Sequence, residues 1–233
     1  MPAVAMHISN GIIDNQVALL FAAIALAGLG LCFVQGRREL DDRLVPMAGL
    51  VAAFIFAVQM LNFQVLPGVS GHLLGGTLAA ILVGPYLGAI CVSIVLVVQA
   101  LIFSDGGVTA LGLNVTNMAL LGTAAGYLLV ATLLRVLPRR AWTLTVAAVI
   151  ASVVSVTVAS QGFVLQYYLG GAVDVGRSLG AIAAAMAGTH LLIGLGEGVI
   201  TALTVTYVAK VRPDLVYAVR NLKRPVVSEA VTV

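Results

Sequence analysis

The stretch YLGAICVSIVLVVQALIFS occupies residues 86–104 and carries no charged side chain. Its 19 residues match the roughly 20 that a helix needs to cross the hydrocarbon of a bilayer. Its apolar residues follow one another instead of alternating, which favours a helix over a strand of a membrane barrel. Those two structures are the ones that satisfy their own backbone in lipid. Outward from this stretch the pattern repeats, with apolar runs at about 12–35, 44–63, 70–84, 109–136, 141–169 and 178–209. Over all 233 residues, hydrophobic side chains make up 61% and charged ones 9%. A soluble domain carries roughly 25% charged residues. The expected fold is therefore an all-α integral membrane protein, a bundle of about seven transmembrane helices forming one domain over 1–233. The run at 70–84 is short and glycine-rich (Gly71, Gly75, Gly76, Gly84) and ends at Pro85. It reads as a tilted, short or re-entrant helix packed within the bundle.

Charge fixes an expected orientation through the excess of Lys and Arg in cytoplasmic loops. With seven spans and an outer N-terminus, three clusters fall inside: Arg37, Arg38 and Arg43; Arg135, Arg139 and Arg140; and Lys210, Arg212, Arg220, Lys223 and Arg224. Those are 11 of the 12 Lys and Arg residues, with Arg177 alone outside. Residues 212–233 become a cytoplasmic tail and residues 1–11 an outer segment. The first apolar run lacks a basic region before it, so it reads as a retained helix and not as a signal peptide. Cys32 and Cys91 lie in apolar runs and read as small packing residues.

Several chemistries are absent. The chain has no glycine-rich phosphate loop ending in Gly-Lys-Ser/Thr and no His-Glu-x-x-His. It also has no Gly-x-Ser-x-Gly elbow. It has no motif for nucleic acid. ATP hydrolysis by this chain, metalloprotease activity and an enzyme role in general are therefore not expected, and neither is a cofactor.

The polar residues that remain gather at one side of the expected topology. They are His7, Asn62 at the end of the second helix, His72 at the start of the third, Gln99 and Asp105 near the end of the fourth, and Asn114 and Asn117 opening the fifth. Polar groups at membrane depth are costly and face cavities or partners. A converging set suggests a binding site, while each Asn or Gln alone could equally cap a helix or bond to a neighbour. A histidine in second place on a chain can chelate through the terminal amine, its own amide nitrogen and Nδ1, and His7 would take that place on a chain beginning at Met6. His72 would supply a fourth nitrogen of a square plane, which suits Ni(II) or Cu(II). An interfacial histidine is also an ordinary capping group, and spacing leaves both readings open. His190 and Glu197 stand seven residues apart, nearly one face of a helix. They read as a buried structural pair or as a proton relay of a stand-alone secondary carrier or channel.

At these residues the chain resembles the CbiM/NikM family. Met6-His7-Ile8-Ser9-Asn10-Gly11 is similar to the family's N-terminal block. Asn62-Phe63 with Ser70-Gly71-His72-Leu73-Leu74-Gly75-Gly76 is similar to its second, and Gln99 to Gly112, continuing to Asn114 and Asn117, to its third. His190 to Thr201 is similar to its fourth. The resemblance implies the substrate-binding component of an energy-coupling-factor importer in the cell membrane of a bacterium, capturing Co(II) or Ni(II) as cargo outside the cell. It implies partners as well: a coupling membrane protein, ABC ATPase subunits and a small accessory membrane protein. Carried over residue by residue, it makes Met6, His7 and His72 the metal ligands. Asn62, Gln99, Asp105 and Asn114 become supporting or loop-ordering groups, and His190 and Glu197 structural or gating residues. Met1 to Ala5 precede the family's start. Translation from Met6, or processing after Ala3-Val4-Ala5, would return the amine to the site.

Overall fold

The computed structural model describes residues 7–66, 69–138 and 140–221. Helix α1 spans Asn15–Glu39 and α2 spans Leu44–Gln59. A short hairpin of β1 (Phe63–Leu66) and β2 (Val69–Gly71) follows, with Phe63 opposite Gly71. Next come α3 (Gly76–Val83) and α4 (Pro85–Ile102). One continuous rod is then built from α5 (Leu111–Asn114), a π-helical stretch over Val115–Gly122, and α6 (Thr123–Val136). The long helices α7 (Ala141–Gly170) and α8 (Leu179–Val211) lie side by side, and α9 (Tyr217–Asn221) turns back onto the bundle.

The all-helical membrane bundle expected from composition is what the chain forms. Five helices are long and apolar enough to cross a membrane: α1, α4, the 111–136 rod, α7 and α8. The helix ends follow local chemistry. Asp14 caps α1 by accepting from Val17 N at 2.8 Å, and Arg37 and Arg38 fill its last turn, where cations offset the helix dipole. Pro85 opens α4, where its missing N–H costs nothing.

The third apolar run departs from a simple span. Of its residues, only Gly76–Val83 are helical, and all eight are buried. Eight residues rise only about 12 Å, well short of a hydrocarbon core of about 30 Å. Gly75 and Gly84 bound α3 with φ of +77° and +91°, conformations that an L side chain resists. The free helix ends this creates are tolerable because protein, not lipid, surrounds them. Helices α2, α4, α6, α7, α8 and α9 all pack on α3, which makes this short helix the centre of the core.

The two ends of the bundle are distinct. At one end, Asp14 N donates to Gly170 O and Ala172 N to Ile12 O, joining the start of α1 to the end of α7. At the other, the Tyr217 hydroxyl donates to Glu39 at 2.9 Å and Arg220 to Asp41 at 2.9 Å. Residues 216–219 are buried there, so the first part of the expected tail belongs to the core; residues 222–233 lie outside the described ones.

Candidate metal site

The segment leading into α1 is pinned by apolar contacts first. Ile8 and Ile13 are buried in a small cluster with Ala18, Phe21, Ala110 and Leu113. Each such side chain gains about 1.5–3 kcal/mol on leaving water. The backbone is then sewn to the loop between α4 and α5. Asn114 mimics a peptide: its Oδ1 accepts from Ile8 N at 2.8 Å and its Nδ2 donates to Ile8 O at 3.2 Å. Gly107 N also donates to Ile8 O. Asn10 Oδ1 accepts from the Thr109 N–H at 3.0 Å and its hydroxyl at 2.8 Å. The run Asp105-Gly106-Gly107 makes this closeness possible. A Cβ on Gly106 would lie 3.4 Å from His7 Cβ, and one on Gly107 would run into Asn10.

This docking buries His7 and sets it against His72, which stands in the irregular stretch between β2 and α3. Their ring centroids are 4.6 Å apart, and both residues are buried. Each ring uses Nδ1 on a protein partner. His7 Nδ1 is 2.9 Å from Asp105 Oδ1, and His72 Nδ1 is 2.8 Å from Leu73 O. The carbonyl oxygen can only accept, so His72 Nδ1 carries a proton and its Nε2 a lone pair. Both Nε2 atoms are buried without a partner among the described residues. Metal-binding imidazoles are held in this way, with one nitrogen on an acceptor and the other on the ion. No three His, Cys, Asp or Glu side chains gather as a ligand cluster among the described residues. Two imidazoles supply two of the four donors that a square plane takes.

The electrostatics suit a cation. The hydrogen bond from His7 holds the Asp105 carboxyl below the usual carboxylate range. Burial, and then the neighbouring His7, push the His72 imidazole down to about 4, so it is neutral and able to coordinate at ordinary pH. In an unfolded chain the same imidazole titrates near 6.5. The stability it contributes is complete above that value and is lost as pH falls through about 4, a term of roughly 3 kcal/mol. The melting temperature of the metal-free protein in detergent should therefore fall between those two pH values, with a weaker fall in His72→Ala. Equal pH slopes in the two proteins would refute the assignment.

The other expected residues divide. Gln99 is fully buried; its backbone carbonyl accepts from Asp105 N at 3.1 Å, and its side-chain Nε2 reaches Met60 Sδ at 3.9 Å. The bond to the Asp105 loop is thus made by the backbone at position 99 and not by the glutamine side chain. Asn62 stands apart: it follows the end of α2, is exposed, and forms no hydrogen bond with another described residue. Met6 lies outside the described residues. His190 and Glu197 are both buried but are not a pair. His190 Nδ1 bonds to Met186 O at 2.7 Å, whereas Glu197 Oε2 accepts from Leu74 N at 2.7 Å and Gly75 N at 3.2 Å. The sequence reading passed over Gln59, whose Nε2 donates to Leu74 O at 2.6 Å, and Gln166, which exchanges amide bonds with Asn117. Each is a glutamine inside an apolar helix, and that was the available signal.

The chain is similar to known metal transport proteins. The family model described as cobalt uptake substrate-specific transmembrane region matches residues 7–215. A protein of Archaeoglobus fulgidus, provisionally named a fused nickel transport protein, is 39% identical over 91% of this chain and 68% of its own length. The cobalt transport protein CbiM of Sorangium cellulosum is 33% identical over 90% of this chain and 94% of its own. The crystal structure of a truncated transition metal transporter superposes with a TM-score of 0.75 at 27% identity, covering 88% of this chain and 98% of that one.

Proposed function

Because the chain belongs to the CbiM family of cobalt uptake substrate-specific transmembrane proteins, we infer that it is the subunit that captures Co(II) or Ni(II) at the outer face of the membrane and hands the ion to an ATP-driven importer. It is a component of metal transport and not an enzyme. The observation that carries the capture reading is the pair of buried imidazoles of His7 and His72, 4.6 Å apart, each with Nε2 unpartnered among the described residues. Imidazole nitrogen suits both ions. The basic residues support the orientation: Arg43 and Arg220 lie at the end of the bundle opposite His7, where they meet Asp214 and Asp41.

The chelate has a structural condition. Three fused nitrogens from a Met6 amine, the His7 amide and His7 Nδ1 would require the His7 ring to leave Asp105, which now holds Nδ1. A metal binding through both Nε2 atoms would leave that bond in place. In either case protons compete with the ion for its nitrogen donors, so affinity falls in acid. The Asn10 and Asn114 latches then keep the loaded segment closed. No ATP-binding loop occurs in the sequence. The energy for inward release is therefore assigned to a coupling membrane protein, ATPase subunits and a small accessory membrane protein of an energy-coupling-factor importer.

Intact-mass titration of the purified chain with Ni(II) and Co(II) tests the reading. One bound ion per chain is the expected result, together with vesicle uptake that requires the ATPase partners. A chain that ignores both ions, or that carries them across vesicles without ATP, would overturn it; the second result would make the chain a stand-alone carrier.

A further inference from the structure

Leu74 is gripped on both sides of its backbone. Its N–H donates to Glu197 Oε2 at 2.7 Å and its carbonyl accepts from Gln59 Nε2 at 2.6 Å. The next N–H, of Gly75, reaches the same Glu197 oxygen at 3.2 Å. Glu197 belongs to α8 and Gln59 ends α2, so two helices converge on one residue of an irregular loop. Both side chains are fully buried. A carboxyl group at this depth is costly, and its Oε2 is committed to the stretch that carries His72.

The peptide joining Leu73 to Leu74 has two polar ends. Its N–H faces Glu197, while its carbonyl is the Leu73 oxygen bonded to His72 Nδ1 at 2.8 Å. A hydrogen bond at one end of a peptide polarises the other and strengthens it as an acceptor. The order Glu197, peptide, His72 is thus the familiar acceptor–histidine–metal arrangement with one peptide interposed. His7 has its carboxylate directly, from Asp105.

We propose that Glu197, with Gln59 on the opposite side, is the positioning residue for His72: through the Leu73–Leu74 peptide it fixes the tautomer and direction of the imidazole, so that Nε2 faces the ion. This rests on reading His7 and His72 as the metal ligands. Glu197 itself does not touch the ion; it acts by accepting two N–H bonds, a task that a glutamine oxygen can also perform.

The test uses the full chain in detergent, with Co(II) as the probe and two readouts. In titrations followed by ligand-field absorption, E197A should bind at least about tenfold more weakly, the usual effect of losing an outer partner, and its bands should shift. E197Q should restore both affinity and bands. In the metal-free protein, 15N NMR of the three histidines should show His72 protonated at Nδ1 in wild type and E197Q. Wild-type affinity and bands in E197A would overturn the proposal, as would an Nε2–H tautomer of His72 in the wild type. If E197A does not fold, the tautomers of wild type and E197Q decide. A wild-type chain that binds no Co(II) overturns the ligand reading instead, and the tautomer still reports on the positioning.

Discussion

Replacing His72 by alanine should reduce Ni(II) or Co(II) affinity by more than about a hundredfold, beyond the range seen when only an outer partner of a ligand is lost. Among the described residues, His72 offers the Nε2 lone pair that neighbours the His7 ring. Water cannot take its place readily, because the site is buried and the neighbouring groups are already engaged: Asp105 by His7, Asn114 by Ile8, and Leu74 by Glu197 and Gln59. His7→Ala should have an effect of similar size. It removes the second imidazole and leaves Asp105 without its ring partner. The two single variants should not add up in the double variant, since losing either imidazole already destroys the site. Isothermal titration of wild type, both single variants and the double variant checks this. A His72→Ala protein that folds and binds within threefold of wild type, about 0.7 kcal/mol, would remove the imidazole pair from the site.

The fold was largely legible because lipid imposes a simple code. The runs at 86–104, 109–136, 141–169 and 178–209 became helices within a few residues of their expected ends. The run at 70–84 was harder, since hydropathy records burial and not length of helix. Its residues are as apolar as a span because protein surrounds α3 on every side, yet its glycines stop the helix after eight residues. The site was legible in part. His7, His72, Asp105 and Asn114 were singled out, and they do come together across about a hundred residues of sequence. Their pairings were not visible, because tertiary docking decides which face of the 104–112 loop meets the N-terminal segment. Asn62 shows the opposite limit. A polar residue just past a helix end looks the same in sequence whether it turns into a cavity or out to solvent, and here it is exposed.

The second large effect is expected far from any nitrogen ligand. Gly112 in α5 lies directly against the backbone of α1: a Cβ there would sit 2.6 Å from Ala22 N and closer still to Ala22 Cα. Backbone atoms within a helix cannot step aside as a side-chain tip can, so Gly112→Leu must push α1 as a body away from α5. Overpacking of this kind costs about 1–3 kcal/mol. The structural consequence is larger than that figure suggests, because α1 is the rod that carries Asp14 and, just before it, His7. Moving α1 strains the Thr116 hydroxyl bond to Phe21 O and separates Ile13 and Phe21 from Leu113. It also draws Ile8 away from Asn114, whose two bonds hold His7 in register with His72. Gly28, on the same helix, is the control. A Cβ there meets only the tip of Leu120, which can rotate, so Gly28→Ala should bind metal as wild type does. Gly112→Leu should melt several degrees lower and bind the ion at least about tenfold more weakly, the same order as losing a support of a ligand. If Gly112→Leu keeps wild-type affinity while Gly28→Ala loses it, the seating of α1 against α5 is not what aligns the two histidines. The alignment would then have to come from the 104–109 loop alone.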